Sequence, residues 1–268
     1  MKADKTQVMR LSNRIILSLF ILVSSCGTDE TVCSVNSVTV FDKTFTRFTF
    51  SRNSTGAAIL DLVKVNDGTD SSYTYSYTYS SGVLTNVMRT EDGAVINYVV
   101  TMDGNKVSKF ASKTPAGKNQ DETRLMYSGE QVTSSQSWLA NEAGTLFQIG
   151  HTIYTYDSRG DLTKSETYID LLALFSLVFG LDPSGYSPVV FGTAFYEPSN
   201  ADNPMNGHFY LENLDMTFLL HVPQKITSKD VNGTIVSVDT YTIEQDGSGL
   251  PTKAISGAKY VEATYTCQ

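Results

Sequence analysis

The sequence predicts an all-β protein: an up-and-down antiparallel meander forming an open or barrel-like curled sheet, with one short buried helix. Three observations predict it. The first is strict alternation, as in Tyr73-Thr74-Tyr75-Ser76-Tyr77-Thr78-Tyr79-Ser80, where residues two apart share a strand face. The second is a hairpin unit, clearest in Tyr154-Thr155-Tyr156-Asp157-Ser158-Arg159-Gly160-Asp161-Leu162-Thr163-Lys164. Tyr154 and Tyr156 fall on one face. Asp157 is suited to bond turn amides, Gly160 to adopt positive φ, and Leu162 restarts the alternation. The third is spacing: Gly82, Gly93 and Gly104 recur every 11 residues, a strand-plus-turn period too short for helical repeats.

The chain starts with an address. Lys2, Lys5, Arg10 and Arg14 precede the apolar run Ile15 to Val23, and Ser24-Ser25-Cys26 follows. A signal-peptide core needs about 7–15 apolar residues and a membrane-spanning helix about 20. Small residues before a cysteine resemble a bacterial lipobox, so residues 1–25 are expected to be a lipoprotein signal peptide, with Cys26 the lipidated residue. Residues 26–36 are expected to be an acidic tether, led by Asp29 and Glu30. Residues 37–268 then form a single hairpin-repeat domain.

The formal net charge of −8 becomes more negative once the basic leader is removed. That balance excludes nucleic acid as the expected partner. The other cysteines, Cys33 and Cys267, lie near the two ends of the exported chain. They form a disulfide if the first and last strands are neighbours, and otherwise remain separate thiols.

Along the domain, residues 36–65 alternate and turn at Asn53 to Gly56. The four tyrosines Tyr73, Tyr75, Tyr77 and Tyr79 share one face, either a core-lining or half-exposed wall or a sugar-stacking ligand platform. Hairpins continue through Asp103-Gly104 and on either side of Trp138, the single tryptophan. The pattern breaks at residues 169–224, expected to be an insertion. Ile169 to Phe179 is apolar nearly all round and rich in helix formers, with Gly180 as its stop. A short helix of that kind seeks burial on every side, so it is expected to plug one end of the sheet, the alternative being a membrane-dipping foot. Five of the 7 prolines follow in residues 183–224, an irregular stretch suited to binding loops. Hairpins return from residue 225, through an Asn232-Gly233 turn, to a closing strand ending at Thr266.

No catalytic constellation stands out. His151, His208 and His221 lack metal-ligand spacing, and Asn66-Asp67-Gly68-Thr69-Asp70 lacks the carboxylate pattern of a calcium loop. Neither a Gly-x-Ser-x-Gly elbow nor a Walker loop is present. No cofactor and no metal are expected.

Residues 154–162 resemble the YD repeat of Rhs-type surface proteins. A closer resemblance is to the domain of unknown function 4595, a family of Gram-negative envelope lipoproteins with a porin-like sheet. It rests on the degenerate Tyr-x-Tyr-Asp-x-x-Gly hairpins, Asn203-Pro204, Pro223-Gln224-Lys225-Ile226 and Gly249-Leu250-Pro251-Thr252-Lys253. The resemblance implies the sheet and the envelope address, and it implies no activity. A transmembrane porin is not expected, because the Gly spacing less a turn leaves strands near seven residues, against about 9–11 for a spanning strand.

The expected function is therefore that of a lipid-anchored cell-envelope protein, a non-catalytic binding or structural module at the outer membrane and cell surface. Its partners are the membrane, through the N-terminal lipid, and a glycan or an envelope protein. The alternative is a hydrolase of surface polysaccharide.

Overall fold

The computed structural model describes residues 33–42, 44–53, 57–66, 72–211 and 213–267. The leader, Cys26, residues 27–32 of the tether, residues 54–56 of the predicted turn and residues 67–71 lie outside the described residues. The strand alternation produces β1 (Cys33–Asp42), β2 (Thr44–Arg52), β3 (Ala58–Asn66), β4 (Ser72–Ser80), β5 (Val83–Glu91) and β6 (Ala94–Asp103). It continues in β7 (Lys106–Lys113), β8 (Asn119–Ser128), β9 (Gln131–Ala140), β10 (Leu146–Tyr156) and β11 (Leu162–Ile169). Then come the helix α1 (Leu171–Val178), β12 (Val189–Asp202), the helix α2 (Leu214–Phe218) and β13 (His221–Lys229). The chain closes with β14 (Ile235–Thr240), β15 (Thr242–Gln245), β16 (Pro251–Ser256) and β17 (Lys259–Cys267).

All 17 strands belong to one sheet. Each strand from β1 to β13 pairs antiparallel with the next. β14 and β15 follow each other across Tyr241. β14 pairs with β13 and β15 with β16, which carries the sheet onward. β17 pairs with β16 and with β1, giving a nearly closed barrel. Ser37 Oγ and Thr264 Oγ1 share a 2.8 Å hydrogen bond across that seam, and Asn36 donates to Thr266 at 2.6 Å. The barrel unit spans Ser34–Thr266. Cys33 and Cys267 are joined to each other by a disulfide.

Up-and-down connectivity fixes the two ends of the barrel. The chain enters at Ser34 and leaves at Thr266 at what we call the near end. The turns 81–82, 104–105, 129–130, 157–161 and 246–250 lie there, with the segment 203–220. The far end holds the turns 92–93, 114–118, 141–145, 230–234 and 257–258, with α1.

The hairpin unit is built from local hydrogen bonds. Asp157 Oδ1 accepts from the amides of Arg159 (2.8 Å) and Asp161 (3.0 Å), and Gly160 takes φ 90°. Asp246 repeats this with Ser248 and Leu250, and Asp230 with Asn232 and Thr234. The Asn232-Gly233 step is thus the end of an Asp-x-x-Gly turn that begins at Asp230, rather than a two-residue turn. Each unit also carries a bulge, placed before Tyr79, Met102, Tyr127, Tyr156 and Gln245. A bulge disrupts the ladder locally, and a hydroxyl on the returning strand caps a carbonyl beside it. Thr85 donates to Thr78 O (3.0 Å), Ser108 to Thr101 O (3.0 Å), Thr133 to Met126 O (3.3 Å), Thr163 to Thr155 O (3.1 Å) and Thr252 to Glu244 O (3.3 Å). Three of these units latch a tyrosine onto the preceding strand: Tyr79 donates to Leu60 O, Tyr127 to Val107 O and Tyr156 to Val132 O, and on the last strand Tyr265 does the same to Pro251 O. Gly160→Val would force a β-branched residue to positive φ, with its Cβ 3.4 Å from Gln131 Nε2. A loss of about 1–3 kcal/mol is expected, read as a lowered melting temperature.

The sheet is apolar inside and mixed outside. On β4, Tyr75 and Tyr77 are buried, while Ser72, Thr78 and Ser80 are exposed. Mid-strand on the outer wall, Arg47 pairs with Lys64 and Lys109 with Arg124. A Lys or Arg facing lipid at that height costs about 2–4 kcal/mol, while Val95, Val99, Phe191, Val236 and Val238 are apolar side chains exposed on the same sheet. The strands themselves are mostly 8–10 residues long, longer than the glycine spacing suggested. Two-residue turns such as Ser81-Gly82 consume less chain than the four allowed for them, so strand length is no argument against spanning.

Three other expectations are corrected. Strand pairing reaches back into the predicted tether, since residues 33–36 belong to β1. The region 169–224 is two insertions, 170–188 and 203–220, separated by β12, which is 14 residues long. Finally, α1 is not buried. Only Ala173 is enclosed, and Leu172, Phe175 and Phe179 are 76%, 56% and 75% exposed. The helix is held by Asp170 at its N-cap, whose carboxylate accepts from Ala173 N at 2.8 Å and Ser187 N at 2.5 Å.

Candidate functional site

The interior of the barrel is filled by the segment 203–220, which enters from the near end. A buried loop must satisfy its own backbone groups, and Asn203 does much of this. Its side chain donates to Met216 O and Leu219 O, both at 2.9 Å, and accepts from Met205 N at 3.0 Å. Asn203 N donates to Leu220 O, Gly207 N to Thr217 O, and Thr217 Oγ1 to His208 O. The knot so formed is studded with aromatics that meet the wall. Tyr210 stands edge-on to Phe48 at 5.1 Å and to Tyr75 at 6.1 Å. Phe209 meets Phe110 at 5.5 Å, and Phe218 meets Tyr154 at 5.0 Å.

This packing settles the tyrosine face. Tyr75 and Tyr77 are core residues, and Tyr73 and Tyr79 pack against the same core. They line the inner wall behind the plug and present no sugar-stacking platform to solvent, because the alternation that put them on one face put that face inside.

Between the plug and the wall formed by β12 to β17 and β1 lies a cavity of about 380 Å³. Its apolar lining includes Val40, Met205, Met216, Leu219, Ile226 and Val261. Its far-end rim is built from Phe41 and Asp42, at the end of β1, and Lys259 and Tyr260, at the start of β17. Lys259 Nζ lies 3.1 Å from Asp239 and 3.3 Å from Asp42, and these carboxylates, Asp239 first, push its pKa up. Deeper in, Asp215 Oδ2 accepts from Ser165 Oγ at 2.6 Å and from the Tyr196 hydroxyl. Burial, reinforced by the Asp215 charge, pushes the Tyr196 pKa up, so the phenol keeps its proton and remains the donor. Tyr154, hydrogen-bonded to Ser135 at 3.0 Å, is raised by burial in the same way.

A second polar cluster sits at the near end, where the plug rejoins the wall. His221 Nδ1 lies 2.6 Å from Asp161 Oδ1, and Arg159 Nη2 lies 3.1 Å from Asp161 Oδ2. Asp161 is 1% exposed; His221 anchors the start of β13 to the β10–β11 turn, and Arg159 braces the carboxylate from within that turn. At the far end, His151 stacks flat on Tyr168 and bonds the Tyr186 hydroxyl at 2.6 Å. No cluster of three or more His, Cys, Asp or Glu fit to hold a metal occurs among the described residues.

His208, in the plug, rests edge-on against Phe50 at 4.9 Å. Burial lowers its pKa from 6.5 to about 4. The folded protein therefore keeps it neutral down to about pH 4, while the unfolded chain protonates it from about pH 6.5. Its contribution is fully present above pH 6.5 and is lost as the pH falls towards 4, by at most about 3 kcal/mol. His208→Phe is expected to flatten the fall in melting temperature between pH 7 and pH 4.5. An identical fall in both proteins would contradict this.

The fold and site thus define a plugged β-barrel with a mainly apolar cavity. No family model and no curated protein matches the chain. Among solved structures it is similar to a porin-like protein from Bacteroides uniformis, at 13% identity over 86% of this chain and 96% of that one, with a TM-score of 0.49. It is also similar to a porin-like protein from Bacteroides vulgatus, at 12% identity over 88% of this chain and 99% of that one, with a TM-score of 0.45.

Proposed function

We propose that the protein is a lipid-anchored module of the cell envelope, tied to the outer membrane through Cys26 and displayed at the cell surface, and that it works without catalysis by holding a small apolar ligand. The observation that carries the ligand reading is the cavity: about 380 Å³, walled mainly by apolar side chains, in the size range of small-molecule sites of roughly 300–1,000 Å³. The address is supported by the charged and apolar segments before Cys26 and by the resemblance to envelope lipoproteins.

The neutral dye N-phenyl-1-naphthylamine tests the site. Saturable one-to-one binding, abolished by filling the cavity with Ala194→Trp, is the expected result. Binding that never saturates, or that ignores the substitution, would remove the cavity from the account. Labelling with a radioactive fatty acid tests the anchor, which requires label on the wild type and none on Cys26→Ser.

The hydrolase reading would use Asp215 and Asp239, which line the same cavity. One is bonded by two hydroxyls and the other by Lys259, which favours a fixed polar lining over an acid–base pair. Release of sugar from envelope polysaccharide, lost in Asp215→Asn, would reverse that preference.

A further inference from the structure

The cavity's polar groups are unequal in kind, and the inequality selects a ligand. Its strongest donors are committed, while the hydroxyls of Ser228, Tyr241 and Tyr260 also line the wall. Lys259 is shared between Asp239 and Asp42. The Tyr196 hydroxyl donates to Asp215, and the Asn203 amide donates to two plug carbonyls. Its acceptors are in excess, because three carboxylates, Asp42, Asp215 and Asp239, line the cavity against one cation. Asp215 takes both its hydroxyl donors on Oδ2, so Oδ1 has neither of them. An anionic guest would meet like charge on entering low-dielectric surroundings, whereas a cationic or N–H-bearing head would find acceptors already oriented.

We propose that the cavity takes an amphiphile with an apolar body and an ammonium or other hydrogen-bond-donating head, and that it excludes the corresponding carboxylates. This rests on the ligand-holding reading above and narrows it to a chemical class. The apolar body lies along Met205, Met216, Leu219 and Ile226, and the head pairs with Asp215 or Asp239.

Calorimetric titration of the purified protein with decylamine, decanol and decanoate, three probes with the same tail, separates the two claims. Decylamine is expected to bind at least tenfold tighter than decanoate, with decanol between them. Asp239→Asn and Asp215→Asn are each expected to weaken decylamine several-fold while leaving decanol unchanged. A melting curve on each variant confirms folding, and the wild-type head-group ranking stands even if Asp215→Asn fails to fold. Decanoate binding as tightly as decylamine, or a ranking unmoved in both variants, would overturn the ligand class and leave the cavity as a binding site. No binding by any of the three would overturn the ligand-holding reading and this inference together.

Discussion

Replacing Phe48 with alanine is expected to destabilise the barrel by about 3–5 kcal/mol, the range for deleting a fully buried phenylalanine ring. Phe48 has no exposed surface. It projects from β2 into the interior and meets the edge of Tyr210 at 5.1 Å, so the substitution removes both its own burial and a contact that seats the plug. The knot around Asn203 is hydrogen-bonded internally and cannot easily collapse into the space left behind, which places the cost at the upper end. Urea denaturation should show a lower midpoint with an unchanged slope. A loss below about 1 kcal/mol would mean that the ring lies at a surface.

Opening the disulfide between Cys33 and Cys267 is expected to have a comparable effect, about 3–5 kcal/mol. The two cysteines are 234 residues apart in sequence. In the chain-entropy account a cross-link restricts the unfolded ensemble more as the loop it closes grows, and this one encloses nearly the whole barrel. It immediately precedes Ser34 and follows Thr266, the residues that begin and end the barrel unit. Without it, the β1–β17 seam depends on its ladder and on short polar contacts such as Ser37 with Thr264. The melting temperature should fall on reduction and should fall equally in Cys33→Ser/Cys267→Ser. A protein indifferent to reductant would show that the seam is self-sufficient.

What was legible in the sequence is what is local. The turn at Asp157 to Asp161 follows from one carboxylate, two amides and a glycine, all within five residues, and the strand faces follow from alternation. The hydroxyls that cap the bulges were also within reach. Thr85, Ser108, Thr133, Thr163 and Thr252 each follow a buried residue at the start of a strand: Leu84, Val107, Val132, Leu162 and Pro251. What was not legible depends on closure. An apolar helix such as α1 invites a prediction of burial, but burial is decided by what the rest of the fold leaves empty, and the interior was already taken by residues 203–220. Nothing in a turn-rich, proline-bearing stretch marks it as interior until the number of strands around it is known. The four charged cavity groups and Tyr196 come from five separate strands or helices, β1, α2, β12, β14 and β17, so no spacing could have announced them.

Hydrogen exchange across residues 203–220 tests the central claim, that this segment fills the barrel, more directly than any substitution. The amides of Asn203, Gly207 and Tyr210 bond Leu220 O, Thr217 O and Thr217 Oγ1 inside the wall. They are expected to be protected as strongly as the amides of β3 and β4, and to exchange only with global unfolding. The exposed far-end turns at 92–93 and 141–145 should exchange rapidly in the same experiment. Exchange of 203–220 at the rate of those turns, in a protein whose strands remain protected, would show the segment to be a surface loop and the barrel to be unplugged.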